Sequence, residues 1–140
     1  MTDFRPMRDG EKEAVIGLWE ACGLTRPWNE PMRDLDFARG KGNSEILVAM
    51  KGDRVIATVM AGHDGHRGTI YYLAVDPAQQ GNGMGRLAVA AAESWLKERG
   101  VWKINLLIRR ENAKVLGFYQ ALGYEPNDVV SLGRWLDRDA

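Results

Sequence analysis

The residues Gln80-Gly81-Asn82-Gly83-Met84-Gly85 have the types and spacing needed to hold a phosphate. They follow an apolar run, Ile70 to Val75, that ends in the turn Asp76-Pro77, and they precede a long amphipathic segment. Glycines let consecutive backbone N–H groups converge, because they take up positive φ without a Cβ penalty. A helix opening directly behind them adds unpaired N–H donors and a partial positive charge. Strand, glycine loop and helix start together build an anion cradle. The chain has no global field to assist it, since nineteen Lys and Arg balance nineteen Asp and Glu. That balance draws it neither to nucleic acid nor to an anionic membrane, so the phosphate reading is local.

The elements that must position this loop are legible in outline. The chain has 140 residues, 45% hydrophobic and 27% charged, which suits one globular domain over residues 1–140 with a core that needs no staples. Cys22 is the single cysteine, so no internal disulfide and no Cys-rich metal site is expected, and its place on an apolar helix face reads as a buried structural thiol. The stretch Met1-Thr2-Asp3-Phe4-Arg5 lacks the basic and apolar regions of a signal peptide, and no apolar run reaches membrane-spanning length. A cytoplasmic protein is expected.

Asp9 can cap a helix from Gly10 to Cys22, with Ala14, Val15, Leu18, Trp19 and Cys22 on one face. A connection rich in turn formers, Leu24 to Pro31, leads to a short helix at Met32 to Arg39. Ile46 to Met50 and Arg54 to Ala61 read as strands around the hairpin turn Lys51-Gly52-Asp53. A third strand, Thr69 to Val75, feeds the loop. The helix after it shows Met84, Leu87, Ala88, Ala91, Trp95 and Leu96 on one face and ends at Gly100. Lys103 to Ile108 alternates as a strand, Asn112 to Leu122 reads as a helix stopped by Gly123, and Val129 to Trp135 reads as a last strand. Hairpins first and βαβ-like units later predict a mixed sheet covered by helices.

Three phosphate-loop patterns compete for the glycines. A triphosphate loop needs Gly-Lys-Ser/Thr after four spacers, and a dinucleotide fingerprint needs Gly-x-Gly-x-x-Gly with an acid downstream. Gly81, Gly83 and Gly85 are spaced by two throughout and fit neither. They fit Gln/Arg-x-x-Gly-x-Gly/Ala behind a strand ending in Val-x-Pro, here Gln80, Gly83 and Gly85 behind Val75-Asp76-Pro77. Downstream stands Asn112-Ala113-Lys114-Val115-Leu116-Gly117-Phe118-Tyr119-Gln120-Ala121-Leu122-Gly123-Tyr124: an Asn, a Tyr seven residues on, then Leu-Gly-Tyr. These two motifs, in this order, resemble those of the GNAT N-acetyltransferases over residues 70–125. The stretches Leu18-Trp19-Glu20 to Asn29 and Asp64 to Leu73 resemble the YpeA-type bacterial branch of that family.

The resemblance implies an α/β (α+β) fold with a mixed, mostly antiparallel sheet of about six or seven strands flanked by about four helices. It implies acetyl-CoA as cosubstrate and no metal. The coenzyme pyrophosphate is expected on Gln80, Gly81, Asn82, Gly83, Met84 and Gly85, with Arg86 adding charge or serving only as a solvated helix residue. The pantetheine arm is expected to pair like a strand with Leu73, Ala74 and Val75. Asn112 is expected to cap its helix and to touch the coenzyme. Tyr119, which periodicity alone reads as a core aromatic, is implied as the general acid that protonates the departing thiolate. Arg26, Trp28, Asn29, Tyr71 and Tyr72 border the expected acceptor site.

The general base is not legible. An amine with a pKa of about 10.4 must lose a proton before it attacks, yet Tyr71-Tyr72-Leu73-Ala74 and Asn105-Leu106-Leu107-Ile108 carry no carboxylate. A water held by Tyr71, Tyr72 or Asn105, or a group among His63, Asp64 and His66, could serve. The expected acceptor is a small-molecule amine, an amino acid or a protein N-terminus. No nucleic-acid or membrane partner is expected, and Val129 to Leu136 could pair across a homodimer. The competing reading is a GNAT-fold module that binds coenzyme A with little or no turnover.

Overall fold

The computed structural model describes residues 3–138, which divide into two compact units, Met1–Asn105 and Leu106–Ala140. In the first, four strands form an antiparallel sheet in the order β1 (Phe4–Pro6), β2 (Ser44–Lys51), β3 (Arg54–His63), β4 (Gly68–Val75). Lys51 pairs with Arg54 across the turn Gly52-Asp53, and Gly52 sits at φ 61°, the positive φ that a two-residue hairpin favours.

Ile46, Leu47, Val48 and Ala49 of β2 are all buried because both faces of the sheet are covered. Ile46 and Val48 pack with Val15, Leu18 and Trp19 of α1 (Lys12–Ala21) and with Leu35 and Ala38 of α2 (Pro31–Ala38). Ala49 packs with Ile56, Ala57 and Met84, the first residue of α3 (Met84–Glu98). This is the period-two division of a pleated strand.

Several expectations are corrected. Instead of six or seven strands, four are formed among the described residues. Lys103–Ile108 contributes one parallel bridge, Ile104 opposite Gly68, through Gly68 N–H to Lys103 O and Asn105 N–H to Gly68 O, both 2.9 Å. That bridge gives the sheet its mixed character. Gly68 is required there: a Cβ would stand 2.9 Å from Leu96 Cδ1 and 3.1 Å from Val101 Cγ1. The short β1 escaped the alternation test because three residues show no period.

Asp9 does not cap α1. A 3₁₀ turn at Asp9–Glu11 precedes the helix, and Glu11 Oε1 accepts the Arg8 N–H at 2.7 Å while its carboxylate takes two Arg5 N–H groups. Asp9 instead pairs with Arg39 at 2.8 Å. On α1 the core takes Val15, Leu18 and Trp19, while Ala14 is exposed and Cys22 half-buried. On α3 it takes Met84, Ala88, Val89, Ala92, Trp95 and Leu96, and Leu87 is left 38% exposed. The buried arc is turned toward Val89 and Ala92, with Ala91 half-buried beside it. Arg99 closes the α3 C-terminus by donating to Trp95 O at 3.0 Å, with its guanidinium 3.5 Å above the Trp95 ring.

The second unit holds α4 (Ala113–Ala121). Asn112 caps it by accepting the Val115 N–H at 3.4 Å, and Gly123 at φ 98° ends it. The expected strand Val129–Trp135 is irregular, with Val129, Val130 and Leu132 exposed. Alternation permits a strand, but only a ladder partner makes one, and Gly133 weakens the run.

Candidate active site

The turn after β4 closes on itself before the glycines begin. Asp76 Oδ1 accepts the Ala78 N–H at 2.9 Å, starting a 3₁₀ turn over Pro77–Gln79. Two side chains then converge on the Val75 carbonyl: Gln80 Nε2 donates at 3.1 Å and the Cys22 thiol donates at 3.2 Å. Burial pushes the Cys22 thiol pKa up, which keeps it a thiol rather than a nucleophile.

Gly81 and Gly83 stand at φ 87° and 77°, a left-handed backbone that only glycine takes up easily. Gly83 is the N-cap of α3, and having no side chain it supplies no cap. Leu87 N–H bonds Gly83 O at 3.2 Å, so the N–H groups of Met84, Gly85 and Arg86 precede the first intrahelical bond. The Met84 side chain is buried in the core and pins the helix start, whereas Gln80 to Gly83 and Arg86 are exposed. The result is a row of backbone donors without intrahelical partners at the positive end of a 15-residue helix, behind an exposed glycine turn.

Upstream of this loop, β4 breaks its pairing with β3. Thr58 pairs with Ala74 and Met60 with Tyr71, so Val59 alone faces both Tyr72 and Leu73. This two-against-one count is a β-bulge. Tyr72 stands there at φ 50°, and no other non-glycine among the described residues has positive φ. Its ring stacks on Trp19 with centroids 3.9 Å apart, and its hydroxyl donates to Asp34 Oδ2 at 2.7 Å. Burial, then the Asp34 carboxylate, raises the Tyr72 pKa well above the ordinary phenol value. Beyond the bulge Asp76 N–H bonds Ile56 O at 2.8 Å, so by alternation Val75 turns its backbone groups to the edge away from β3.

Tyr71 is exposed on the last ladder pair before the bulge, opposite Met60, and Trp28 is exposed between α1 and α2. Arg26 folds back onto Gly23 O, and Asn29 N–H closes a turn on Arg26 O at 3.0 Å. In the β3–β4 loop, Asp64 accepts the Arg67 and His66 N–H groups, which hold its carboxyl below the usual range. His63 Nδ1 accepts the Gly65 N–H. These groups are occupied in shaping their own loop. In the second unit, Tyr119 is 6% exposed and packs edge-on to Phe118 and Tyr124, and burial pushes its pKa up to about 12. It therefore holds its proton throughout the neutral range. Among the described residues no cluster of His, Cys, Asp and Glu is arranged to hold a metal, and no helix is long and apolar enough to cross a membrane.

The family model described as the acetyltransferase (GNAT) family matches residues 13–124. The chain belongs to the GNAT family. It is 40% identical over 137 residues to an acetyltransferase of Pectobacterium atrosepticum, covering 98% of this chain and 97% of that protein. Among solved structures it resembles the aminoglycoside N-acetyltransferase AAC(6')-Iy in complex with CoA, at TM-score 0.80 and 19% identity over 97% of this chain and 95% of that one. It also resembles the ribosomal-protein-S18-alanine N-acetyltransferase of Escherichia coli, at TM-score 0.73 and 21% identity over 88% of this chain and 77% of that one. At such identities the likeness concerns the GNAT fold alone.

Three residues that sequence reading did not connect with this site stand at the bulge: Trp19, Asp34 and Thr58. Trp19 was legible only as a core aromatic and Thr58 only as a strand residue. Asp34 comes from a helix 38 residues before its partner, Tyr72, so no local spacing could signal it.

Proposed function

We propose that this GNAT protein is an acetyl-CoA-dependent N-acetyltransferase that works as one domain over residues 1–140 and transfers acetyl to a primary amine by direct attack in a ternary complex. The observation that carries the reading is the glycine-led, side-chain-uncapped start of α3, directly behind a strand that bulges away from its neighbour. The matched stretch, residues 13–124, includes both motifs, which supports a single working domain. Leu18 to Asn29 and Asp64 to Leu73 support the YpeA-type branch.

In this reading the pyrophosphate lies on the N–H groups of Gly81 to Gly85, since the Gln80 N–H is turned onto Pro77 O at 3.5 Å, with Arg86 adding charge at the helix start. The pantetheine arm extends the sheet along Leu73, Ala74 and Val75 by backbone pairing. Asn112 touches the coenzyme as well as capping α4. The amine lone pair attacks the thioester carbonyl carbon, and the carbonyl oxygen gathers negative charge that backbone N–H groups at the bulge can stabilise. The C–S bond then breaks and its electron pair leaves on sulfur. Tyr119, protonated at neutral pH, gives that sulfur its proton; the acylated nitrogen loses its surplus proton to water, from which the Tyr119 phenolate is reprotonated.

The acceptor is a small-molecule amine, an amino acid or a protein N-terminus, bordered by Arg26, Trp28, Asn29, Tyr71 and Tyr72. The related folds named above act on an aminoglycoside and on a ribosomal-protein alanine, and both supply primary amines. Calorimetric titration with acetyl-CoA tests the reading: binding is expected, and no heat at about millimolar coenzyme overturns it. The absence of a carboxylate in Tyr71–Ala74 and Asn105–Ile108 favours a second reading, a coenzyme A-binding module without turnover. Thiol release measured across a panel of amines and peptide N-termini separates the two.

A further inference from the structure

The bulge is held by a buried chain of polar contacts drawn from four elements. Trp19 of α1 is fully buried and donates its indole N–H to Thr58 Oγ1 at 2.9 Å. Thr58 of β3, also fully buried, donates its hydroxyl proton to the Tyr72 carbonyl at 3.0 Å. The Tyr72 ring lies flat on the same Trp19, at 16° between planes, and its hydroxyl is tied to Asp34 of α2. A bulky residue at φ 50° persists only when its surroundings over-determine it, and here both ends of Tyr72 are fixed.

The peptide between Tyr72 and Leu73 is trans and planar, so its C=O and N–H point in opposite directions. Thr58 draws the C=O toward β3. The Leu73 N–H is thereby turned away from Thr58, and on the acetyl-CoA reading it faces the edge along which the acyl-pantetheine arm is placed above. We propose that Trp19, Thr58 and Asp34 are positioning residues: through Tyr72 they set the direction of the Leu73 N–H against the thioester carbonyl. The inference rests on the acetyl-CoA reading. None of the three touches the reacting atoms, and their effect passes through one backbone donor, which must hold its direction closely to stabilise developing charge.

Amide resonances of ¹⁵N-labelled protein test this without knowledge of the acceptor. Coenzyme A and acetyl-CoA are each added, and the difference between them isolates the thioester. In the wild type both ligands should displace Gly81, Gly83 and Gly85, and acetyl-CoA alone should further displace Leu73. Thr58→Val should keep the glycine displacements and lose the acetyl-specific one at Leu73, while Thr58→Ser, which restores the hydroxyl, should recover it. Immobile glycine signals with both ligands would sink the acetyl-CoA reading itself. Mobile glycines with a Leu73 response that is absent in the wild type, or unchanged in Thr58→Val, overturn the positioning role alone. If Thr58→Val gives no dispersed spectrum, Tyr72→Phe takes its place. It severs only the Asp34 link and should shrink the Leu73 response, and an undiminished response overturns the proposal.

Discussion

In the proposed reading, the glycine loop and the β4 bulge solve the same problem, aiming backbone N–H groups at a ligand, by opposite means. The loop does it by subtraction: Gly81 and Gly83 have no side chains to obstruct a left-handed turn, and the turn stands open to solvent. The bulge does it by addition, forcing a tyrosine into a comparable φ and holding it with an indole, a hydroxyl and a carboxylate. A donor row made of glycines depends on local sequence and little on the core. A donor held by buried side chains depends on the core and little on its own residue type. The two should therefore fail differently when changed.

The largest effect should come from a residue outside both devices. Tyr119→Phe should lower turnover by about a hundredfold or more, the usual contribution of a positioned acid, with acetyl-CoA affinity unchanged by calorimetry. An equal fall in affinity would make Tyr119 a packing residue. Next, Thr58→Val leaves the buried Trp19 N–H without its partner, at about 1–3 kcal/mol, and frees the half-buried Tyr72 carbonyl at a smaller cost. Urea denaturation should show that loss, while Gly83→Val, at an exposed turn, should cost only the left-handed strain of one residue, about 1–2 kcal/mol. Gly83→Val should instead weaken acetyl-CoA about tenfold or more, because a β-branched residue resists φ 77°. If the two variants show the same profile, the contrast between loop and bulge is wrong. Smallest, Tyr72→Phe removes one half-buried hydrogen bond and should cost about 0.5–1.5 kcal/mol.

Alkaline pH offers a check on burial. Tyr119 has a folded pKa of about 12, above that of an unfolded phenol, so between these values the unfolded chain releases a proton that the folded chain keeps. Stability is unaffected by this group below about pH 10 and falls as pH rises toward 12. Tyr119→Phe should flatten the Tyr119 share of that decline in denaturation midpoints.

Local devices were legible because their physics is local. The Gly52-Asp53 hairpin, the Asn112 cap and the glycine loop each occupy a few consecutive residues. The Trp19–Thr58 bond spans 39 residues and Tyr72–Asp34 spans 38, so they exist only once the sheet and both helices have met. The α3 face was off by part of a turn because periodicity cannot say which of Leu87 and Val89 a sheet will accept. Val129–Trp135 shows the converse error, a strand pattern for which the described residues provide no ladder.

The Val75 carbonyl, which accepts from both Gln80 and Cys22, has a consequence for any guest strand. An amide oxygen has two lone pairs, and both of these are engaged. On the acetyl-CoA reading, a guest laid along the outer edge of β4 can use the Val75 N–H but not its carbonyl, and leaves the sheet there, toward the glycines. On that reading the lone thiol takes part in no chemical step and acts as a length gauge. It fixes how far the ladder extends before the cradle takes over.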